Sequence, residues 1–345
     1  MSVVKTWRFW AGCLVSLLCL WLAFRSVPLG EVVHIAASAN ISLLLAAVIL
    51  QVLAIVARSW RWLILLDKAA GLADSFWAQS IGFLFTNVFP LRLGELARVF
   101  VLSERWGLPM MQVAASAIVE RLLDVTTTVS VLLLVLPWMQ VPSAMRQVGI
   151  FFGILALVGL GLLLIAVRFS DSTKRFLESL QVGRSFLSSE KIGMRWGELV
   201  SGFLPLTHWP IALRAGVWSL LPWALSIAMF WNVLLAFQSD ASLVEAAFMM
   251  ATLAFAVAVP SSPGFVGVFQ LVGQQALVLP FGAKYEPAAA LAITVTIHLV
   301  YYVITTALGI AGLWRLGASF LSLGHVITDR QPDRKIPARV DTRRL

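Results

Sequence analysis

Seven ionisable residues, Arg92, Glu95, Arg98, Arg105, Glu120, Arg121 and Asp124, stand in or beside segments otherwise apolar enough for hydrocarbon. A charge at the bilayer centre costs roughly 2.5–3.5 kcal/mol on insertion scales, so such groups face the protein interior or a wet cavity. Arg92, Glu95 and Arg98 step by three and fall along one helix face. Glu120 and Asp124 step by four on the next segment and share a face, from which the adjacent Arg121 points away. Two chemistries fit this pattern. In one, Arg92 and Arg98 grip an anionic headgroup, since the planar guanidinium fork matches phosphate oxygens. Glu95, Glu120 and Asp124 then orient the arginines or bind an amine. In the other, the charges pair between helices, Arg98 with Glu120 or Arg121 with Glu95. Further along, Gln270 and Gln274 share a face and add polar lining. His298 stands on an apolar helix with no second His or carboxylate at ligand spacing, which excludes a metal site there.

The elements that position these groups are membrane helices. The 345 residues are 60% hydrophobic and 12% charged, where soluble domains carry about 25% charged residues. Several apolar runs approach or exceed the ~20 residues that cross a bilayer, and none alternates as barrel strands do. The fold class expected is therefore an all-α polytopic membrane protein. The net charge of +9 is read as cytoplasmic loops and membrane-surface contact rather than nucleic-acid binding. Cys13 and Cys19 share the first apolar run and suggest neither disulfides nor metal binding.

Lys5 and Arg8 precede the run Phe9–Phe24, read as a retained first span with a cytoplasmic amino terminus. Ser26–Asn40 reads as a short outer segment. Ile41–Leu66 returns inside, with Arg58, Arg61, Lys68, Trp60 and Trp62 as basic and aromatic anchors at its cytoplasmic end. Arms at 75–89 and 92–106, about 15 residues or roughly 22 Å each, are short of a ~30 Å core and read as a re-entrant hairpin with Pro90 at its tip. Met110–Pro137 and Ile150–Val167 are full spans. Residues 168–214 hold seven basic residues (168, 174, 175, 184, 191, 195, 214) against four acids (171, 178, 190, 198), the bias of a cytoplasmic segment, and read as interfacial helices. Ala215–Phe237 is a span interrupted by Pro222. Arms on either side of Pro260-Ser261-Ser262-Pro263-Gly264 make a second broken helix, and Glu286–Leu313 is the last span. The remainder, 316–345, is a basic, partly disordered cytoplasmic tail.

Pro90-x-x-x-Gly94 and Pro260-x-x-x-Gly264 share their spacing, and each lies between two short arms. The expected architecture is about six full spans plus two opposed re-entrant hairpins in an inverted repeat, with tips at Pro90, Gly94, Pro260, Pro263 and Gly264. The helices starting at 92 and 264 then aim their partly positive amino termini at one spot, a place for phosphate or carboxylate.

Three motifs in order, Asn87-x-x-Pro90-x-Arg92-x-Gly94-Glu95-x-x-Arg98, Glu120-Arg121-x-x-Asp124 and Pro260-x-x-Pro263-Gly264-x-x-Gly267-Val268-Phe269, resemble the lysylphosphatidylglycerol synthetase transmembrane family over about residues 10–315. The resemblance implies opposed hairpins and movement of lipids or lipid-linked molecules between leaflets. It marks a stand-alone member of the flippase-like half, a single domain over 1–315 without the soluble aminoacyl-transferase domain. Members often carry an acid where Gln270 stands and an arginine near His298, so this chain's cavity lacks one acid and one base, which points to a less charged headgroup.

The expectation is a non-enzymatic flippase or scramblase-like carrier in the bacterial inner membrane, both termini cytoplasmic, moving an anionic or zwitterionic phospholipid or lipid-linked headgroup. Its substrate-binding set is Arg92, Glu95, Arg98, Glu120, Arg121, Asp124, Gln270 and His298. No cofactor is expected, nor a nucleotide-binding glycine loop. Partners are membrane lipids, with room for a lipid-modifying enzyme or a second copy. The alternatives are a glycosyltransferase using a polyprenyl-phosphate donor and a scaffold for a lipid-modifying enzyme.

Overall fold

The structure, a computed structural model, describes residues 7–25, 27–67, 69–89, 93–138, 147, 150–151, 154–155, 158–159, 161, 203, 209–257 and 262–317. Among these it is all helical, with ten α-helices and no strand. They are α1 (Trp7–Phe24), α2 (Leu29–Ala37), α3 (Ile41–Leu65), α4 (Leu72–Val88), α5 (Gly94–Trp106), α6 (Met110–Val135), α7 (Trp209–Phe237), α8 (Leu243–Ala256), α9 (Val268–Phe281) and α10 (Pro287–Leu316). Among the described residues, four helical segments are long and apolar enough to cross a membrane: Ile41–Leu65, Pro210–Phe237, Pro263–Phe281 and Pro287–Leu316. The pair α1 and α2, bent by 77°, makes a fifth if it is one span. The chain is a multi-pass membrane protein. Most of the Ile150–Val167 span and of the 168–214 segment, and the tail from 318 onward, lie outside the described residues, as do Pro90, Arg92 and Pro260.

Local chemistry fixes several ends. The Asn40 side chain accepts from the Ser42 and Leu43 amides and starts α3. Ser242 and Glu245 close a reciprocal capping box on α8. Pro287 occupies the first turn of α10, where a missing N–H costs nothing. Gly107 and Gly317 end α5 and α10 in the left-handed conformation.

Three expectations change here. Ser26–Asn40 is not a plain outer segment: it contains α2, whose Val32 is buried in a cluster with Ala23, Val27 and Leu291. Pro222 does not interrupt α7, which runs on through it; Ser226 Oγ donates to the carbonyl of Pro222 at 2.8 Å. The helices after the breaks start later than 92 and 264, at Gly94 and Val268. After the second break a 3-10 turn, Pro263–Phe265, intervenes, with positive φ at Gly264 (64°), Phe265 (59°) and Gly267 (94°).

Both broken pairs double back. Asp74 at the start of α4 meets Arg105 at the end of α5, at 3.6 Å. Glu245 at the start of α8 meets Lys284, just past α9, at 3.0 Å. The first pair closes beside the carboxyl end of α10, where Gly312 faces the Trp77 carbonyl; the second closes beside its amino end. Both breaks abut its middle. Asn87 Nδ2 donates to Thr305 and Thr306 hydroxyls at 2.9 and 3.0 Å, and the Gly264 carbonyl accepts from the His298 ring at 2.9 Å. At Gly309 a methyl would overlap Leu84 and the Ser80 carbonyl, so α4 and α10 touch backbone to backbone. Gly94 lies as tightly against the Gly82 carbonyl and Thr86 of α4.

Candidate functional site

Four arginines and three carboxylates from α3, α5 and α6 converge beside these breaks. Arg61 of α3 is fully enclosed between Asp124 (2.7 Å) and Glu120 (3.0 Å) of α6. One helical turn separates the two acids, so one planar fork spans both. Arg98 of α5 is equally enclosed. It contacts Glu95 at 2.6 Å and Glu120 at 2.8 Å, donates to Gln79 of α4 at 2.5 Å, and lies over the Trp62 ring at 4.8 Å. Trp62 in turn donates to Ser116 of α6 at 3.0 Å. Arg121 reaches Glu95 at 3.0 Å, Asp124 at 3.3 Å and Glu120 at 3.8 Å. Arg58 completes the group with a longer contact to Asp124, 3.7 Å, and a position over the Trp223 ring at 5.6 Å. Trp223 of α7 donates its indole N–H to Asp124 at 3.1 Å.

Two cavities adjoin this cluster. The larger, about 250 Å³, is bordered by Arg58, Arg121, Asp124, Gln51, Thr128, Ser226 and His298, and by largely apolar side chains such as Phe230, Met250 and Leu253. The smaller, about 110 Å³, is bordered by Glu95, Arg98, Gln79, Thr86 and Gly94. Phe83, Arg121, Val257, Phe265 and Tyr301 wall both, so the two spaces meet at Arg121.

The structure brings Glu95, Arg98, Glu120, Arg121 and Asp124 together. Arg121 does not point away as expected. Its long side chain bends back to Asp124, one turn along its own helix, and reaches Glu95 on α5. Both pairings anticipated, Arg98 with Glu120 and Arg121 with Glu95, are present. Arg92 lies outside the described residues.

His298 borders the larger cavity, stacked on Phe269 at 4.4 Å between centroids. Its Nε2 faces the Gly264 carbonyl and so carries the proton, which leaves Nδ1 to accept from Gln270 Nε2 at 2.7 Å. Gln270 Oε1 accepts the Gly267 amide at 2.7 Å. Gln270 thus fastens the second break to α10 and borders neither cavity. Gln274 donates to the Pro287 carbonyl and is likewise internal. The amino end of α9 does not open on the pocket: Gly267 is seated on the Ser16 carbonyl of α1, and neither Gly267 nor Val268 borders either cavity. Among the described residues no group of His, Cys, Asp and Glu is placed to hold a metal ion.

Arg58, Arg61 and Trp62 correct the sequence reading, which made them interfacial anchors. Arg61 and Trp62 are 0% exposed. The usable signal was position: Trp62–Leu66 continues the apolar run beyond Arg61, so the arginine sits within the helix. Gln79 and Trp223 carried no comparable signal.

Comparison with known proteins agrees with this picture of a membrane domain. The family model described as Lysylphosphatidylglycerol synthase TM region matches residues 9–309. Glycosyltransferase AglD of Haloferax volcanii is 26% identical over 352 aligned residues, taking in 90% of this chain and 54% of that protein. The chain therefore spans about half the length of that curated relative.

Proposed function

The chain belongs to the lysylphosphatidylglycerol synthase transmembrane family, and from that premise we propose that it is a lipid carrier of a bacterial inner membrane. It moves a phospholipid or lipid-linked headgroup between leaflets, as a flippase or scramblase does, without chemical change to the lipid. The observation that carries this reading is the opening of Arg58 and Arg121 onto a largely apolar cavity of about 250 Å³ bordered by the apolar helices α3, α7 and α10. Charges retained inside membrane helices mark substrate paths when they line a cavity. Glu95, Arg98, Glu120, Asp124 and His298 belong to the same headgroup site, and Arg58 joins them. Gln270 acts on it through His298.

In this reading α4–α5 and α8–α9 are re-entrant hairpins entering from opposite leaflets, flanked by about six spans with both termini cytoplasmic. Support comes from their closure at opposite ends of α10 and the meeting of both breaks at its middle. Opposed hairpins with a midplane site are the plan of many inverted-repeat transporters. A cysteine at Arg105 then labels only from the cytoplasm and one at Asp240 only from outside; labelling of both from one side refutes the arrangement.

Leaflet exchange in proteoliposomes tests the function. Purified protein should exchange at least one of phosphatidylglycerol, its lysyl ester, phosphatidylethanolamine and a polyprenyl phosphate. Arg121→Ala, eluting as folded protein, should abolish that exchange. A second reading, glycosyl transfer from a polyprenyl-phosphate donor, draws on the name of the Haloferax relative. Sugar transfer by the purified protein without lipid exchange would favour it.

A further inference from the structure

The charge count of the cluster selects among the headgroups left open above. Among the described residues four guanidinium groups, Arg58, Arg61, Arg98 and Arg121, face three carboxylates, Glu95, Glu120 and Asp124. One positive charge is in excess. Arg61 and Arg98, with side chains 0% and 3% exposed, are spent between carboxylates. The excess therefore resides on Arg58 and Arg121, the two that border the larger cavity. Arg121 Nε is shielded from solvent and has no hydrogen-bond partner, and Arg58 holds its Asp124 oxygen only at 3.7 Å.

The carboxylates of the same space already face arginines. Asp124 and Glu95 are the carboxylates bordering the two cavities. Asp124 Oδ1 is held by Arg61 and Trp223, while Oδ2 accepts no hydrogen bond and faces Arg121 at 3.3 Å and Arg58 at 3.7 Å. Glu95 Oε1 is held by Arg121 and Oε2 by Arg98. An ammonium entering here meets a guanidinium group at each of these carboxylates and raises the excess positive charge in a medium that screens it poorly. A phosphate oxygen pair cancels that excess and supplies the acceptors that Arg58 and Arg121 lack. His298 adds no charge, since its two ring nitrogens are taken by Gln270 and the Gly264 carbonyl.

We infer that this site recognises an anionic phosphate group and discriminates against headgroups that also carry an ammonium, an inference that rests on the carrier reading for its biological setting. The largely apolar border commits the phosphate to a lipid rather than a free anion.

The test is equilibrium competition on the purified full chain in detergent, with a fluorescent phosphatidylglycerol as probe. Unlabelled phosphatidylglycerol should displace it at least about tenfold more effectively than lysyl-phosphatidylglycerol or phosphatidylethanolamine. Equal competition by the ammonium lipids overturns the inference, as does absence of any binding. Glycerol phosphate competing as well as the lipid overturns the commitment to a lipid. Arg58→Gln removes the excess charge and should bring the ratio toward one, while Arg105→Ala, on the distant Asp74 contact, should leave it unchanged. A ratio unmoved in folded Arg58→Gln refutes the charge argument. The same panel in proteoliposomes separates the two readings. Selective binding without exchange removes the carrier function and keeps the inference; exchange of the lysyl ester at the rate of phosphatidylglycerol does the reverse.

Discussion

Arg61 ties α3 to α6 through two buried carboxylates. Replacing it with Met keeps length and apolar bulk but removes the fork between Asp124 and Glu120. Glu120 retains Arg98 at 2.8 Å, whereas Asp124 loses its shortest contact and keeps Arg121 at 3.3 Å, Arg58 at 3.7 Å and the Trp223 N–H at 3.1 Å. Removing one member of a buried charge pair costs about 3–5 kcal/mol. The surviving partners of both acids place the expected loss at the lower end, about 3 kcal/mol. Adding Asp124→Asn leaves three guanidinium groups facing two carboxylates and should recover nothing. Arg61→Lys should fall between wild type and Arg61→Met, because one ammonium cannot present the two-pronged donor set. The assay is equilibrium unfolding in mixed SDS micelles followed by tryptophan fluorescence, with the four proteins compared at one lipid-to-detergent ratio. An Arg61→Met midpoint equal to wild type would show that α3 is not tied to α6 through this arginine, and a double variant more stable than the single one would refute the charge balance.

Gly94→Ala puts a methyl where the Gly82 carbonyl and Thr86 lie, so it should cost at least about 2 kcal/mol and lower the yield of folded protein. Gly107→Ala, with open space around it but φ at 62°, should cost only about 1–2 kcal/mol in the same unfolding assay. Tyr285, in the turn before α10, donates to Glu245 at 2.6 Å. Burial and that carboxylate hold its phenol above the ordinary tyrosine range. Its contribution is therefore complete below a pH of about 10 and fades as pH rises beyond it. Tyr285→Phe should lower stability by about 1.5–3 kcal/mol at neutral pH, and its gap to wild type should narrow only under alkaline conditions; a gap that narrows between pH 6 and 9 contradicts this.

The helical architecture was legible because apolar runs and Pro/Gly breaks are local signals. Asn40, Ser242, Pro287, Gly107 and Gly317 end their helices through chemistry written in one or two residues. The clustering of the acids at 95, 120 and 124 was legible through their spacing. Arg61 was not, since its role depends on which helix packs beside α3, and a tryptophan on either side imitates an interfacial belt. Arg121 was misjudged for a related reason: helical phase gives the direction of a Cβ, while a long side chain can turn back toward a charge one turn away. Gln270 read as lining because its face was right, but Gly267 and His298 compete for its amide.

The contact between α4 and α10 has a mechanical consequence. Gly309 and Gly312 bring α10 onto the carbonyls of Ser80 and Trp77, with the side chains of Leu84 and Ile81 pressed against the glycines. Sliding either helix past the other by part of a turn would drive Leu84 or a carbonyl into the opposing backbone. Asn87, held by Thr305 and Thr306, pins the far end of the same seam. The two helices therefore move as one strut. Any rearrangement that alternately exposes the arginines to each side must pivot about this strut, with the displacement taken up by the segments around it.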